Sequence, residues 1–261
     1  MESQSKSAKE ALNTIKNQLC VCNSHDVKNP ILDVVIMYCE KDMKYLPEAI
    51  STLPEFCNVI LVETISTNTP DWQIEVKNIQ NGLIEAILTY PNNDFQFDKA
   101  RNLTNQLCES DWILQLDADE RLLTHQHGLL LKYLRHLDSD YWAINTGLVN
   151  NFNFQDRSGL RKKEIQNVVK IYRNNGVIKY EYPIHETVCI IIDKHNKMIC
   201  DSEIIIHHVG YEIPVEELIK KLDRNIMKIW EYSYLRNIDI FKNYLEKSII
   251  SINQLRGYSN G

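Results

Sequence analysis

The most chemically loaded stretch of the chain is an apolar run that ends abruptly in carboxylates. Trp112-Ile-Leu-Gln-Leu leads directly into Asp117-Ala118-Asp119-Glu120. The apolar half has the composition of a buried β-strand. In open α/β sheets, ligands bind beyond the carboxyl ends of the strands. Carboxylates delivered there suit a hard divalent cation, Mn²⁺ or Mg²⁺, shared with substrate phosphates. A solvated acidic loop uses the same residue types, so D-x-D spacing alone has little specificity. Its position at the end of this strand favours a site.

Phosphate can also be cradled by glycine-rich backbone, but the chain has little of it. It carries 8 glycines in 261 residues, under half the usual share of about 7%. None stands in G-x-G-x-x-G or G-x-x-x-x-G-K-[ST] spacing, which excludes a dinucleotide fingerprint and a P-loop. The formal charge is −6, the opposite of a duplex binder's basic excess, so no nucleic-acid partner is expected. The run Arg161-Lys162-Lys163 reads as a solvated loop. Seven cysteines occur without a C-x-x-C pair, and Met1–Glu10 has no apolar targeting core. With no apolar run of membrane-spanning length, these features predict a reduced, cytoplasmic setting without a transmembrane segment. Peripheral membrane contact stays open. Cys20-x-Cys22 has no partner pair with metal-ligand spacing.

The elements that would position the carboxylates follow from periodicity. Asp33–Cys39, Asn58–Glu63, Leu83–Tyr90 and Trp112–Leu116 read as buried strands, with helices over Lys44–Leu53, Phe97–Ser110 and Thr124–Leu137. Strand–helix alternation of this kind implies βαβ units and a mostly parallel sheet. Beyond it, Tyr141–Val149, Val168–Tyr172, Val177–Tyr182, Thr187–Asp193 and Met198–His207 read as further strands, forming mixed or antiparallel additions. Asn150–Gln166 reads as a long polar loop, and 214–235 and 239–255 as helices. The predicted organisation is a polar tail or helix over 1–28, an α/β domain over 29–211 and a helical extension over 212–261.

Several ordered motifs resemble glycosyltransferase family 2. They are Phe97-Asp98-Lys99-Ala100-Arg101-Asn102, the Asp111–Glu120 segment, Arg173 with Tyr180 and Ile184-His185-Glu186-Thr187-Val188, and His208-Val209-Gly210-Tyr211. The branch resembled includes lipopolysaccharide-core sugar transferases and bacteriocin S-glycosyltransferases. The resemblance spans about residues 31–235. It implies a GT-A-type, mostly parallel sheet flanked by helices, with small antiparallel additions and C-terminal helices. It also implies a nucleotide-sugar donor, commonly a UDP-sugar, and inversion at the sugar carbon. The acceptor is a glycan, a lipid-linked sugar or a peptide. The alternative is a degenerate transferase that binds nucleotide sugars or serves as a scaffold.

The same resemblance implies residue roles. Asp117 and Asp119 match the D-x-D that holds the metal and the donor diphosphate, and His208 matches a histidine that completes the metal's ligands. Neutral imidazole is compatible with that role. Arg101 suits a diphosphate or nucleoside contact. Tyr38, Glu63 and Ser66 fall where the family contacts the nucleoside. Two positions depart from the family pattern: Cys39 in Tyr38-Cys39-Glu40, and Glu63 at the end of the second strand. An inverting transfer needs a base that takes the acceptor's proton. Glu186 and the neighbouring His185 are the rival candidates. Glu186 could instead pair structurally with Lys170 or Arg173.

Overall fold

The computed structural model describes residues 30–80, 82–92, 94–155, 161–182 and 188–236. The apolar runs of the first half become the centre of a mixed α/β fold built on one nine-stranded sheet. The strands are β1 (Leu32–Tyr38), β2 (Cys57–Thr67), β3 (Gln73–Gln80), β4 (Leu83–Pro91), β5 (Trp112–Asp117), β6 (Glu120–Leu122), β7 (Tyr141–Gln155), β8 (Arg161–Arg173) and β9 (Met198–His208). Their order across the sheet is β3-β4-β2-β1-β5-β8-β7-β9-β6. The helices among the described residues are α1 (Leu46–Ser51), α2 (Phe97–Thr104), α3 (His127–His136), α4 (Cys189–Lys194) and α5 (Val215–Arg236). None is long and apolar enough to cross a membrane.

β4, β2, β1 and β5 form a parallel block, and β3, β8 and β9 pair antiparallel with β4, β5 and β6. Every β1 residue is buried, because the strand has neighbours at both edges and cover on both faces. Leu32, Val34 and Ile36 point to one face, with Leu46 and Ile50 of α1 and Leu130 and Leu134 of α3. Val35 and Met37 point to the other, with Ala100 of α2 and Ile192 of α4. Each such aliphatic side chain contributes about 1.5–3 kcal/mol by leaving water.

A buried carboxylate fixes the entry to β5. Asp33 accepts hydrogen bonds from the Glu109 N–H at 2.6 Å, the Ser110 N–H at 2.8 Å, the Ser110 hydroxyl at 2.7 Å and the Asn58 amide at 2.9 Å. Trp112 donates its indole N–H to the Leu134 carbonyl and lies under the Arg173 guanidinium.

The described residues fall into two compact units. The first, drawn from 1–149 and 165–208, contains the whole parallel block. The second is drawn from 150–164 and the chain from 209. It has its own apolar cluster around Phe152 and Leu218, with the Phe152 and Tyr211 rings stacked 5.4 Å apart.

Several elements differ from the sequence reading. β2 does not stop at Glu63 but runs to Thr67, because the β-branched Thr64, Ile65 and Thr67 keep pairing with β4 as far as Pro91. Much of Asn150–Gln166 is strand, in β7 and β8, rather than loop. Val177–Tyr182 forms no strand; Asn102 captures the Tyr180 backbone instead, accepting from its N–H and donating to its carbonyl. Cys189–Lys194 is helical despite its isoleucine run, because one turn of helix seats Ile192 in the core. The predicted tail over 1–28 and helix over 239–255 lie outside the described residues.

Candidate functional site

Strand register brings the candidate residues to one edge. Tyr38 at the end of β1 stands beside Glu63 of β2, and Met37 beside Asp117 of β5. The carboxyl ends of three adjacent parallel strands therefore present Tyr38, Glu63 and Asp117 side by side. Beyond Asp117 the chain turns tightly into β6, which pairs with the end of β9 and sets Glu120 opposite His208. That pairing explains how two residues far apart in sequence meet. The Nε2 of His208 lies 3.2 Å from an Asp119 carboxylate oxygen.

Asp117 faces two cations. Arg101 Nη2 lies 2.9 Å from its Oδ1, and Lys170 Nζ lies 3.5 Å from its Oδ2. Lys170 also pairs with Glu120 at 2.8 Å, and Glu120 accepts the Asp117 backbone N–H at 2.9 Å. The Arg101, Lys170 and Glu120 side chains are 2%, 10% and 1% exposed, whereas Asp117 keeps 38% and faces solvent. Burial raises the Asp117 pKa, but Lys170 and Arg101 outweigh it and hold the carboxyl well below the usual range. Burial pushes Glu120 up, with the Asp117 charge adding to it and Lys170 opposing. Burial acts to lower Lys170, but the two carboxylates leave it above its ordinary value.

α2 delivers Arg101, and a polar network holds it. Its Nη1 donates to the Gln115 side-chain oxygen Oε1 at 3.3 Å. The Gln115 amide donates to Asn105 and Thr104, and the Tyr172 hydroxyl donates to Asn105 at 2.7 Å. Arg101 also lies over the Tyr180 ring, 5.4 Å from its centroid. On the far side of the turn, Arg121 is a clamp. It donates to the carbonyls of Ala118 and Glu120 at 2.8 Å and of Tyr45 at 2.9 Å, and pairs with Glu48 at 3.3 Å.

The expected metal set Asp117, Asp119 and His208 is brought together only in part. Asp119 and His208 meet, but Asp117 turns to Arg101 and Lys170, which already neutralise it. Among the described residues no three His, Cys, Asp or Glu side chains converge as a metal-holding group. The Asp119–His208 pair still fits a cation whose remaining ligands are substrate oxygens, the usual habit of Mg²⁺ at phosphate sites.

The other predicted residues are spread along the same edge or lie beyond view. Tyr38 is buried, and burial together with Glu63 and Glu85 pushes its hydroxyl pKa up. Ser66 sits three residues past Glu63 in β2, about 10 Å further along, and donates to Asn92 at 2.6 Å. Cys39 caps the following turn through Asp42, and burial plus that hydrogen bond push its thiol up to about 11. His185 and Glu186 lie outside the described residues. The structural partners suggested for Glu186 have other engagements: Lys170 pairs as above, and Arg173 donates to the Tyr141, Leu137 and Asp138 carbonyls.

Lys170, Glu120, Gln115 and Arg121 were not singled out as site residues. Gln115 and Lys170 had a visible signal, each being one polar residue inside an apolar strand. Nothing in the sequence identified their partners.

No family model matches the chain, and no curated protein matches it in sequence. Among solved structures, it is similar to GalNAc-T7 with UDP, GalNAc and Mn²⁺, at 12% identity and a TM-score of 0.43. The match covers 70% of this chain and 44% of that one, so the chain spans less than half of that protein. It is also similar to S. aureus TarS 1-349 in complex with UDP-GlcNAc, at 12% identity and a TM-score of 0.43, covering 76% of this chain and 66% of that one. The fold assignment above rests on strand order and register.

Proposed function

We propose that the chain is a metal-dependent, inverting glycosyltransferase that takes a sugar from a nucleotide donor, a UDP-sugar in the first instance. The observation that carries this reading is the strand-end edge, where Asp119 and His208 stand 3.2 Å apart beside the Asp117–Arg101 pair. The motif resemblance assigns the same residues to donor binding.

In this reading Asp119 and His208 hold a divalent cation, Mn²⁺ or Mg²⁺, together with the donor diphosphate. The cation's chemistry is to neutralise charge on the leaving nucleoside diphosphate. Arg101 and Lys170 neutralise Asp117 and hold its carboxylate in place beside the Asp119–His208 pair. Tyr38 and Glu63 face the nucleoside from the ends of β1 and β2, with Ser66 further along β2. Glu186 or His185 takes the proton from the acceptor, which is a glycan, a lipid-linked sugar or a peptide.

A screen of nucleotide sugars with Mn²⁺, read by mass spectrometry, tests the reading. Hydrolysis or transfer of at least one donor is expected. Nucleotide binding without any turnover would assign a binding or scaffold role instead.

A further inference from the structure

A second recess lies on the α2 side of the sheet, away from the strand-end edge. Its volume is about 570 Å³, within the roughly 300–1,000 Å³ of small-molecule sites. One of its walls includes Ile113, near the start of β5. Asp117 lies four residues further along that strand, about 13 Å away. The recess is therefore not the carboxylate edge.

Its lining is unusual for a chain of charge −6. Lys99 and Lys179 line it, and no carboxylate does. Neither lysine has an ion-pair partner among the described residues. Lys99 lies over the Trp72 ring, 5.8 Å from its centroid, whereas the guanidinium of Arg173, whose residue also borders the recess, lies over Trp112 on the other face of the sheet. Lys179 is exposed at the rim. Trp72 also lines the recess, braced by Tyr90 and Phe95 with ring centroids 5.6 and 5.9 Å away.

We propose that this recess binds an acidic sugar: a hydroxyl-rich ring carrying a phosphate or a carboxylate. The lysines supply charge for the anion. Trp72 supplies a flat apolar wall. The amides of Asn105 and Gln106, also in the lining, match hydroxyl groups. The inference stands independently of the proposed transferase reaction.

Calorimetric titration of the full chain tests it, with glucose 6-phosphate, glucuronate, glucose and inorganic phosphate as separate probes. Saturable binding of glucose 6-phosphate, glucuronate or both is expected, the stronger binder telling phosphate from carboxylate. Glucose and inorganic phosphate should each bind about tenfold more weakly than the better acidic sugar, a difference of about 1.4 kcal/mol. The double variant Lys99→Ala/Lys179→Ala should lose about tenfold in affinity for that sugar while its melting temperature stays unchanged. Trp72→Ala, which removes the ring wall, should weaken binding of that sugar. No saturable binding by either acidic sugar would overturn the proposal. Equal binding of glucose or of inorganic phosphate would do the same, as would wild-type affinity in the double variant.

Discussion

Replacing Lys170 with methionine removes one buried cation and keeps the approximate length of the side chain. Lys170 reaches Glu120 at 2.8 Å and Asp117 at 3.5 Å, and its side chain is 10% exposed. The two carboxylates will not suffer equally. Asp117 retains Arg101 at 2.9 Å and a side chain open to solvent. Glu120 is 1% exposed and keeps the Asp117 backbone N–H as a donor. Breaking a buried ion pair by removing one partner costs about 3–5 kcal/mol. The remaining N–H bond and the freedom of Glu120 to take up a proton put the expected loss at the low end, about 3 kcal/mol. For a domain of this size each kcal/mol shifts the melting temperature by about 2–4 °C, so the drop should be about 6–12 °C. Urea unfolding should show a lower midpoint with an unchanged slope. The double variant Lys170→Met/Glu120→Gln should recover part of the loss, because the uncompensated charge has gone. The coupling should be about 1–3 kcal/mol in a double-mutant cycle. Wild-type stability in Lys170→Met, or strictly additive effects in the cycle, would refute the charge arrangement described at this edge.

Other expectations follow from the same geometry. Asp119→Asn should weaken Mn²⁺-dependent UDP binding at least about tenfold by calorimetry; unchanged affinity would remove the Asp119–His208 pair from the donor site. Arg121→Lys cannot make the forked contacts to three carbonyls and should destabilise by about 2 kcal/mol in urea melts. A neutral result there would show that the turn carrying Asp119 holds its shape unaided. Burial and the nearby Asp33 charge push the Cys57 thiol up to about 12, and Cys39 sits at about 11. In the native state at mildly alkaline pH, iodoacetamide should therefore spare Cys57 and label the half-buried Cys39 only slowly. Both should react at once in urea, as read by peptide mass spectrometry, and rapid native labelling of Cys57 would contradict its burial. Asn102→Ala should cost about 1–3 kcal/mol, because it frees both backbone groups of Tyr180; a loss below that range would mean water replaces the amide.

Legibility followed from how each residue is stabilised. β1, β5 and the first half of β2 could be read because they are covered on both faces and so are mostly apolar. Asp117 and Asp119 could be read because they interrupt such a run. β3 was missed because it is an edge strand with mostly exposed side chains, and exposed strands lack the apolar signal. The ends of β7 and β8 within Asn150–Gln166 were missed because polar asparagines dilute the alternation in one and lysines in the other. His208 was legible by motif, whereas its meeting with Asp119 depends on β6–β9 register, a long-range fact. Arg101 could be expected near a phosphate, but its anchoring through Gln115 and Asn105 could not, because three separate elements supply the atoms. The Asp117–Lys170 contact had no local signal either: strand β8 reaches β5 only through the folded sheet.

The ties from Asp33 to Ser110 span 77 residues. A ribosome delivers residues in order, at about 5–20 per second, so roughly 4–15 s separate the two partners at the tunnel exit. During that interval β2 can already dock on one side of β1, since its pairing is nearer in sequence. The opposite edge of β1, made wholly of residues destined for the interior, waits for β5 with its amides and carbonyls unmatched. Closing so long a loop is entropically slow and is rewarded only at the end. The central strand that gives the finished protein its stiffness is thus its most adhesive surface during synthesis. A nascent chain arrested before residue 110 should be the form most readily captured by a strand-binding chaperone.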